Sequence, residues 1–377
     1  MEHARVKALD GIRGAAVLMV LVHHAVNFAG APSPLSNPFA ALAYELHVGV
    51  DLFFVLSGYL ITRILLDTKA GENYFKFFYA RRALRIFPLY YLFVACFVWL
   101  VPAFLAGHAG ARELAENQAV YWLYASNFDV MFHGWPVWPR VVLAHAWSLA
   151  IEEQFYLVWP AAVRFLSPKG LQRAILITLS ASVALRLVIT VLGYGLRARV
   201  CTPAHLDGLM LGALFATLQA LGTPLLRLRK LSFVLLGCGA VLRLLAWGMP
   251  LDRLEGMLIA SWSAVFAGLL GLSLTSGPRA RLNQLLGNRF QTFFGRYSYG
   301  IYLIHQPLFA LVARYSHLTS VAARSALNLG LGGSVAVALA MLSYRYFEQP
   351  FLRLKSHFDD SYPRSAAYSL RRRPATE

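Results

Sequence analysis

The sequence predicts an all-α protein, a polytopic transmembrane helix bundle of about ten spans. Two observations support this fold class. Of the 377 residues, 58% are hydrophobic and 14% charged, and the mean hydropathy is +0.53. A soluble domain is only about 45–50% apolar and about 25% charged. The apolar residues also cluster into segments long enough to cross a bilayer, separated by short polar loops.

The predicted spans follow one another without an intervening soluble domain. They cover residues 9–29, 44–66, 86–106, 142–166, 172–193, 205–222, 231–249, 254–275, 297–316 and 320–347. The first begins like a secretory signal peptide, but its polar residues favour a retained span. Residues 1–355 are therefore predicted to form one membrane domain. Residues 356–377, with serine, proline and arginine, are expected to form a disordered cytoplasmic tail.

Basic residues are distributed unequally between the two sides of this predicted bundle. Loops on the side of the N-terminus contain 25 of the 35 lysines and arginines, and loops on the other side contain 7. Because such residues concentrate in cytoplasmic loops, both termini are expected in the cytoplasm of a multi-pass cell-membrane protein that contacts membrane lipids. The same distribution accounts for the net charge of +17. It therefore predicts no nucleic-acid partner, which would require a basic face on a soluble fold.

The cysteines do not indicate a metal site. Cys96, Cys201 and Cys238 lie in or beside apolar segments and form neither a metal-binding spacing nor an even disulfide set. They are expected to be packing residues. With no other set of metal ligands in the sequence, neither a metal nor a bound cofactor is predicted.

The first segment contains polar residues that are rare in membrane spans. It includes Asp10, Arg13, His23, His24 and Asn27, and polar groups in hydrocarbon are costly enough to suggest a function. On a helix, Arg13 and His24 lie within roughly 20° of each other and roughly 16 Å apart along the axis. One helix face would thus present a cation near the cytoplasmic surface and a titratable base deeper in the membrane. His23 points away from that face and is expected to serve as a control position.

The second and third segments continue this pattern. Asp51, in the outer part of the second segment, needs a partner in the protein interior. Ser57 precedes Gly58 in the same segment, a pair that serves either close helix packing or chemistry. Arg82 and Arg85 are three residues apart at the start of the third segment and share a helix face. Either they reflect the general enrichment of lysine and arginine in cytoplasmic loops, or they bind the phosphate groups of a ligand.

The fourth segment combines a histidine with two adjacent acids. His145 and Glu152 share a helix face, whereas Glu153 points away by about 100°. Two acids in mid-membrane are costly, which favours a functional role for Glu152, at the depth of His24. For Glu153 the alternative is an ion pair with an arginine such as Arg186.

Three later segments each contribute one polar feature. Asp207 opens the sixth segment, where Gly212 is suited to close helix contact. His305 in the ninth segment is either a packing residue or a catalytic one. Glu348 is expected to pair with Arg345 at the end of the last segment.

Seven phrases of the sequence together resemble the membrane-bound acyltransferase 3 family. In chain order they are LDGIRGAAVLMVLVHH, GVDLFFVLSGYLIT, FYARRALRIFPLYYL, HAWSLAIEEQFYLVWP, LDGLMLGALFA, RYSYGIYLIHQPL and FEQPF, and they cover roughly residues 5–355. The resemblance implies transfer of an acyl group, commonly acetyl, from cytoplasmic acyl-coenzyme A to a hydroxyl. The implied acceptor is an extracytoplasmic or lipid-linked glycan.

The resemblance also implies roles for particular residues. The family's motif positions fall on Arg13, His24, Ser57, Arg82, Arg85, Glu152 and His305. Some relatives carry a C-terminal extracytoplasmic esterase-like domain that passes the acyl group on. This chain stops after its tail, so either the membrane domain suffices or a separate periplasmic partner is expected.

Geometry and resemblance together predict one reaction. The predicted donor-binding residues are Arg13, Arg82, Arg85 and Asp10, with the arginines on the phosphates of acyl-coenzyme A. The predicted catalytic residues are His24, Glu152, His305, Asp51 and Ser57. His24 acts as general base on the acceptor hydroxyl or forms an acyl-histidine relay, and Glu152 orients or protonates its ring.

A different class of protein stays open. Asp51, Glu152 and the histidines could form the proton relay of a proton-coupled transporter or flippase. Against it, the sequence shows no matching pair of Gly/Pro-broken spans in two halves. Trp122, Trp135 and Trp138, in the outer connector at 107–141, either stack on sugar rings or belong to an interfacial belt.

Overall fold

The computed structural model describes residues 2–30, 38–104, 109–138, 140–245 and 251–358. In these ranges every regular element is helical, which confirms the all-α prediction. The α-helices are α1 (Glu2–Phe28), α2 (Pro38–Glu45), α3 (Gly49–Asp67), α4 (Tyr74–Ala95), α5 (Val101–Phe104), α6 (Ala109–Glu116), α7 (Ala119–Trp122), α8 (Ser126–His133), α9 (Ala146–Phe165), α10 (Pro168–Val191), α11 (Gly195–Val200), α12 (Asp207–Ala220), α13 (Leu225–Leu245), α14 (Leu251–Thr275), α15 (Arg281–Leu286), α16 (Arg289–Tyr315), α17 (Val321–Leu327), α18 (Ser334–Ser343) and α19 (Gln349–Arg353).

Shorter helical turns connect several of these elements. Segments of π-helix lie at Cys96–Leu100, Asn328–Gly333 and Tyr344–Glu348. Segments of 3₁₀-helix lie at Leu46–Val48, Arg140–Leu143, Thr202–His205 and Leu354–Phe358. The predicted polar connector at 107–141 is therefore largely helical. Most of the tail predicted to be disordered, residues 359–377, lies outside the described ranges.

Six helical stretches among the described residues are long and apolar enough to cross a membrane, fewer than the ten predicted. They are Lys7–Phe28, Ala41–Asp67, Tyr74–Leu100, Pro168–Val191, Gly256–Thr275 and Val321–Phe358. The other four predicted segments coincide with α9, α12, α13 and α16. Helix α12 has only 14 residues, fewer than the roughly 20 needed for a full crossing. Charged side chains within α9, α13 and α16 lower the hydropathy of those helices.

Helices α1 and α16 approach each other closely because glycines line their contact. A Cβ atom at Gly295 would overlap the carbonyl oxygen of Asp10, and one at Gly14 would overlap that of Gln291. Only a residue without a side chain allows two helix backbones to come this near. This contact sets the position of α1, which carries Arg13, relative to α16.

Glycines also allow close contact between α3 and α12. A Cβ atom at Gly58 would overlap the carbonyl oxygen of Leu209, and one at Gly212 would overlap that of Val55. The packing interpretation of Gly58 is confirmed, as is the helix contact predicted for Gly212. The side chain of Ser57, the neighbour of Gly58, makes different contacts, which are described with the candidate active site.

Two predicted ion pairs are wrong, and the first concerns Arg186. Its guanidinium binds both carboxylate oxygens of Asp207, at 2.9 and 2.5 Å, and donates to the carbonyl oxygen of Ala204 at 2.8 Å. Arg186 and Asp207 are both almost fully buried, where a charge needs a well-aligned partner. The bidentate pair therefore joins α10 to α12. Glu153 lines a different cavity together with Arg82, so its neighbouring arginine is Arg82 and not Arg186.

The second wrong pair concerns Glu348. Its Oε1 accepts a hydrogen bond from Ser343 at 3.2 Å, while the Arg345 guanidinium lies over the ring of Tyr346, 5.5 Å from its centroid. Both residues belong to the π-helical turn at Tyr344–Glu348. In this wider turn, residues three apart no longer share a face, so the spacing rule for α-helices fails.

Candidate active site

A cavity of about 190 Å³ lies between α1, α3, α4, α9 and α16. It gathers five of the predicted site residues: Arg13, Ser57, Arg82, Arg85 and Glu152. We call it the arginine cavity. Two of the three arginines are on α4, where a spacing of three residues turns both to one face, as predicted.

Glu152 is held inside this cavity by hydroxyl groups. Its carboxylate lies beside the hydroxyls of Ser57 and Tyr156, which hydrogen-bond each other, so one hydroxyl donates to the other and the second donates to the carboxylate. The Arg82 guanidinium lies over the Tyr156 ring, 4.1 Å from its centroid. A buried carboxylate is tolerated when donors and a cation surround it in this way. Ser57 thus has a polar role in addition to the packing role of its glycine neighbour.

A second cavity of about 370 Å³ lies beside the last turns of α1. We call it the histidine cavity, because its lining includes His23, His24, His47, His145 and His205. Val50 and Tyr302 line both this cavity and the arginine cavity. A thin wall of side chains therefore separates the two.

The hydrogen bonds of His24 and His305 decide which ring nitrogen carries a proton. His305 Nδ1 lies 3.1 Å from the carbonyl oxygen of Ile301, so Nδ1 donates and Nε2 of the neutral ring is free to accept. His24 Nδ1 lies 3.1 Å from His305 Nε2 and 3.1 Å from the carbonyl oxygen of Val20. Both of those atoms accept, so His24 Nδ1 donates as well. His24 Nε2 keeps its lone pair, which a general base requires.

Asp51 has the interior partner that its position predicts. Its Oδ1 lies 2.8 Å from His205 Nε2, and His205 Nδ1 hydrogen-bonds the carbonyl oxygen of Arg199. Both ring nitrogens of His205 face acceptors, so ring and carboxylate together hold two protons and have no net charge. Asp51 and His205 are both buried, and a neutral pair is the state that burial favours.

The structure separates Glu152 from His24, which the sequence predicts as partners. Glu152 lines the arginine cavity and His24 lines the histidine cavity. The ring that hydrogen-bonds His24 is His305 instead, with centroids 5.0 Å apart. Glu152 and His24 were predicted to lie at a similar depth in the membrane. They are nevertheless not in contact, because Tyr302 lies between the two cavities that they line.

His23 is not the control position that the helical wheel predicts. Its Nδ1 lies 3.2 Å from the carbonyl oxygen of Ala43. Its ring contacts that of His24 edge-on, at a centroid distance of 4.9 Å. The histidine cavity curves around the end of α1, so both neighbouring histidines line it. A control substitution must therefore come from elsewhere in the chain.

Asp10 lies near the arginine cavity without lining it. Its Oδ1 accepts a hydrogen bond from Arg13 at 2.7 Å. It lines a further cavity, at the start of α1, to which Arg13 and Arg85 also contribute. Asp10 therefore orients an arginine that the two cavities share.

One of the three tryptophans of the outer connector lines the site. Trp135 contributes to the wall of the histidine cavity. Trp122 stacks against Tyr91 at a centroid distance of 5.8 Å, and Trp138 lies under Arg314, which is 5.5 Å from its ring centroid. The sugar-stacking alternative therefore applies to Trp135 in particular.

Several residues of the site were not predicted as site residues. Tyr156 lies one helical turn after Glu152, so the four-residue spacing could have revealed it. Tyr302 precedes His305 by three residues and offers the same signal. No sequence signal could have revealed His205, because it lies 154 residues from Asp51 in the sequence.

Comparison with known proteins shows the family of the chain. A family model described as an acyltransferase domain matches residues 6–345. The chain belongs to the acyltransferase 3 family. Together with the six candidate spans, this membership identifies a helical membrane protein.

The curated relatives are bacterial O-acetyltransferases. The chain is 28% identical to "Peptidoglycan O-acetyltransferase OatA" of Listeria monocytogenes over 92% of this chain and 55% of the relative. It is 29% identical to "Putative peptidoglycan O-acetyltransferase YrhL" of Bacillus subtilis, over 93% and 55%. It is 28% identical to "O-acetyltransferase OatA" of Staphylococcus aureus, over 91% and 56%. The chain thus spans about half the length of these relatives, and no solved structure matches it significantly.

Proposed function

We propose that this protein is an integral membrane O-acyltransferase that moves an acetyl group from acetyl-coenzyme A to a hydroxyl of a cell-envelope glycan. The observation that supports it most is the pair of cavities that share Val50 and Tyr302 as a wall. One cavity is lined by cations and the other by a histidine with a free lone pair. The relatives named as peptidoglycan O-acetyltransferases support a glycan as the acceptor.

The arginine cavity suits a coenzyme A thioester. Arg13, Arg82 and Arg85 present guanidinium groups, which match phosphate oxygens in charge and geometry. The acyl end of the donor then lies towards Tyr302. Ser57 and Glu152 act as positioning residues in this cavity, since the Ser57 and Tyr156 hydroxyls hydrogen-bond each other beside the Glu152 carboxylate.

The reaction begins with proton transfer to His24. Its Nε2 takes the proton of the acceptor hydroxyl, which is a poor nucleophile until a positioned base acts on it. The hydroxyl oxygen then bonds to the carbonyl carbon of the thioester, and the carbon–sulphur bond breaks. The thiolate of coenzyme A takes the proton from His24. His305 positions the base throughout, because it accepts the hydrogen bond of His24 Nδ1.

The proposal includes a topology. The N-terminal end of α1 lies at the cytoplasmic surface of the cell membrane, both termini are cytoplasmic, and the ten predicted segments lie in the membrane. The distribution of 25 and 7 basic residues supports this orientation. The donor then enters from the cytoplasm, and the histidine cavity, with Trp135 in its wall, receives the acceptor from outside.

The test is His24→Ala in membranes supplied with labelled acetyl-coenzyme A and envelope glycan. We expect both label transfer and release of coenzyme A thiol to fall by about 10²–10⁴-fold, the usual contribution of a general base. His317→Ala is the matched control, because His317 is exposed and belongs to neither cavity. Full transfer by His24→Ala at normal abundance would refute the proposal. A transporter or flippase would release no coenzyme A thiol even in the wild type.

A further inference from the structure

Tyr302 lies where the two substrates of the proposed reaction have to meet. Its side chain lines both the arginine cavity and the histidine cavity, as does Val50. His24 lines only the histidine cavity, whereas the donor thioester is proposed to occupy the arginine cavity. Reacting atoms have to approach to about 3–3.5 Å. The wall between the cavities therefore has to open before the acceptor hydroxyl can reach the thioester.

Hydrogen bonds hold the Tyr302 side chain in the wall. Its hydroxyl lies 2.6 Å from Oγ of Ser148 and 3.2 Å from the carbonyl oxygen of His145. Ser148 Oγ lies 3.1 Å from the same carbonyl oxygen, so one hydroxyl donates to the other and the second donates to the carbonyl. Tyr302 and Ser148 are both buried. These hydrogen bonds connect α16 to α9 and keep the wall closed.

A second hydrogen-bonding partner for Tyr302 lies on the same face of α16. Gln306 follows Tyr302 by four residues, about one helical turn, and lines the histidine cavity. Its Nε2 donates to the carbonyl oxygen of Val141 at 2.7 Å, which fixes the orientation of the amide. Among the described residues, no donor bonds to its buried Oε1. A buried acceptor without a donor is rare and needs an explanation.

His145 also lacks hydrogen bonds on this side of Tyr302. Its ring is buried and lies beside the Tyr302 ring, with centroids 5.4 Å apart. The ring is close to the Gln306 side chain, yet neither ring nitrogen makes a hydrogen bond of normal geometry to the described part of the chain. Both residues line the histidine cavity and not the arginine cavity. A hydroxyl that moved towards them would supply a donor.

We infer that the Tyr302 side chain is a gate between the two cavities, which Ser148 holds closed and Gln306 holds open. This inference rests on the proposed function. In the closed state, which is the state of the structure, the ring separates the donor from His24. In the open state the ring turns towards Gln306, and its hydroxyl donates to Oε1 of that amide. One hydrogen bond replaces another, so the two states differ little in free energy.

A closed gate protects the donor from water. With the gate open and no glycan bound, a water molecule in the histidine cavity would take the place of the acceptor hydroxyl. Its oxygen would bond to the carbonyl carbon of the thioester, and the carbon–sulphur bond would break. His24 would pass the proton of the water to the thiolate, so that acetate and coenzyme A thiol form. The closed state prevents this loss while the acceptor is absent.

The experiment measures release of coenzyme A thiol and transfer of labelled acetyl groups in the same membranes, with and without envelope glycan. Ser148→Ala removes a partner of the closed state, so we expect thiol release without glycan to rise about tenfold, the effect of one hydrogen bond. Gln306→Met removes the acceptor of the open state. We expect it to lower the kcat of transfer about tenfold, without changing either KM and without raising thiol release in the absence of glycan.

Matched variants separate the gate from a general loss of packing. Gln306→Glu keeps an acceptor oxygen and loses the donor to Val141, so its kcat should stay closer to wild type than that of Gln306→Met. Ser232→Ala removes another buried serine that donates to a carbonyl and lines neither cavity, and its thiol release should equal that of wild type. Adding His24→Ala to Ser148→Ala should remove the extra thiol release, because water needs the same base.

A second measurement needs no turnover. The purified full chain in nanodiscs contains 3-fluorotyrosine in place of Tyr302, and fluorine NMR reports the surroundings of the ring. We expect the signal to shift in opposite directions in Ser148→Ala and Gln306→Met, because the first favours the open state and the second the closed state.

Three results would overturn the gate and leave the proposed function intact. The first is unchanged thiol release without glycan in Ser148→Ala at normal abundance. The second is the same fluorine signal in wild type and both variants. The third is a loss of about 100-fold or more in the kcat of Tyr302→Phe with no thiol release in the absence of glycan, which would assign the hydroxyl to the chemical step instead. A wild-type protein that transfers nothing from acetyl-coenzyme A would refute the proposed function, and the gate with it.

Discussion

At the scale of the residue, the proposed chemistry depends on which nitrogen of His24 carries the proton. The carbonyl oxygens of Val20 and Ile301 can only accept, and they place a proton on Nδ1 of His24 and of His305. In the proposed mechanism His305 is therefore a positioning residue, which acts on the acceptor through His24. A His24 ring that reversed its tautomer would lose its free Nε2 lone pair and with it the ability to act as a base.

Replacement of His305 tests this role. We expect His305→Ala to lower kcat by about 100-fold with little change in either KM, because His24 loses its orientation while both cavities remain. His305→Gln should recover part of the rate, since an amide oxygen can accept the hydrogen bond from His24 Nδ1. The measurement is steady-state acetyl transfer at varied donor and acceptor concentrations.

A purely structural role for His305 predicts a different result. It would lower the abundance of His305→Ala in the membrane, or raise the KM for both substrates, and the glutamine variant would recover no rate. His317→Ala again provides the control for loss of a histidine, because that side chain is exposed. Unchanged kcat in His305→Ala would remove this residue from the mechanism.

At the scale of the element, the contact between α1 and α16 holds the two histidines together. His24 belongs to α1 and His305 to α16, and the backbones of these helices touch at Gly14 and Gly295. The contact lies near the arginine cavity, about two to three helical turns before the histidines. A shift of either helix there would move His24 relative to His305 and change the width of both cavities.

Adding a single methyl group at this contact tests whether it positions the two histidines. Gly295→Ala places a Cβ atom against the carbonyl of Asp10, and we expect it to destabilise the fold by about 1–3 kcal/mol through overpacking. We also expect transfer to fall by about 100-fold, the effect of misplacing a reacting group by about 1 Å. Thermal unfolding in detergent and the acetyl transfer assay measure the two effects.

Gly237 on α13 provides the matched position. A Cβ atom there meets nothing within 4 Å, so Gly237→Ala should stabilise the helix by up to about 1 kcal/mol and leave transfer unchanged. If Gly295→Ala behaved like Gly237→Ala, the close contact of α1 with α16 would have no part in placing the histidines.

At the scale of the whole molecule, the cavities form a series that runs from one end of α1 to the other. The cavity that Asp10 lines is also lined by Lys7, near the start of the helix, and the histidine cavity is lined by Phe28, at its end. The arginine cavity lies between them. Such an order suits a reaction in which donor and acceptor arrive from opposite sides of the membrane and meet at the Tyr302 wall.

Vesicles of defined orientation test this order. We expect inside-out vesicles to use external acetyl-coenzyme A, and sealed right-side-out vesicles to use it only after permeabilisation, because the proposed topology places the start of α1 and the arginines beside it at the cytoplasmic surface. Coenzyme A thiol released into the medium is the measurement. Equal use of the donor by both sealed preparations would contradict the sidedness, and use only by right-side-out vesicles would reverse the proposed topology.

Much of the fold could be predicted because it follows from local pattern. Each of the ten apolar segments overlaps helical structure in the part of the chain that the structure describes, since hydropathy and helical periodicity act within a few residues. Crossing the membrane is a further condition, and the 14 residues of α12 show why apolar character alone overestimates it. The shared faces of Arg82 with Arg85 and of Arg13 with His24 follow from helix geometry in the same way.

The sequence by itself determined the all-helical fold class, the acyltransferase resemblance and some of the residues that line the cavities, among them Arg82, Arg85 and His24. Only the tertiary structure decided their partners: His305 for His24, His205 for Asp51, and Tyr156 with Ser57 for Glu152. The reason is physical. A pattern along one helix reports the direction of a side chain, whereas a contact between helices depends on their distance and rotation. Here these are set by glycine contacts and buried ion pairs between residues far apart in the chain.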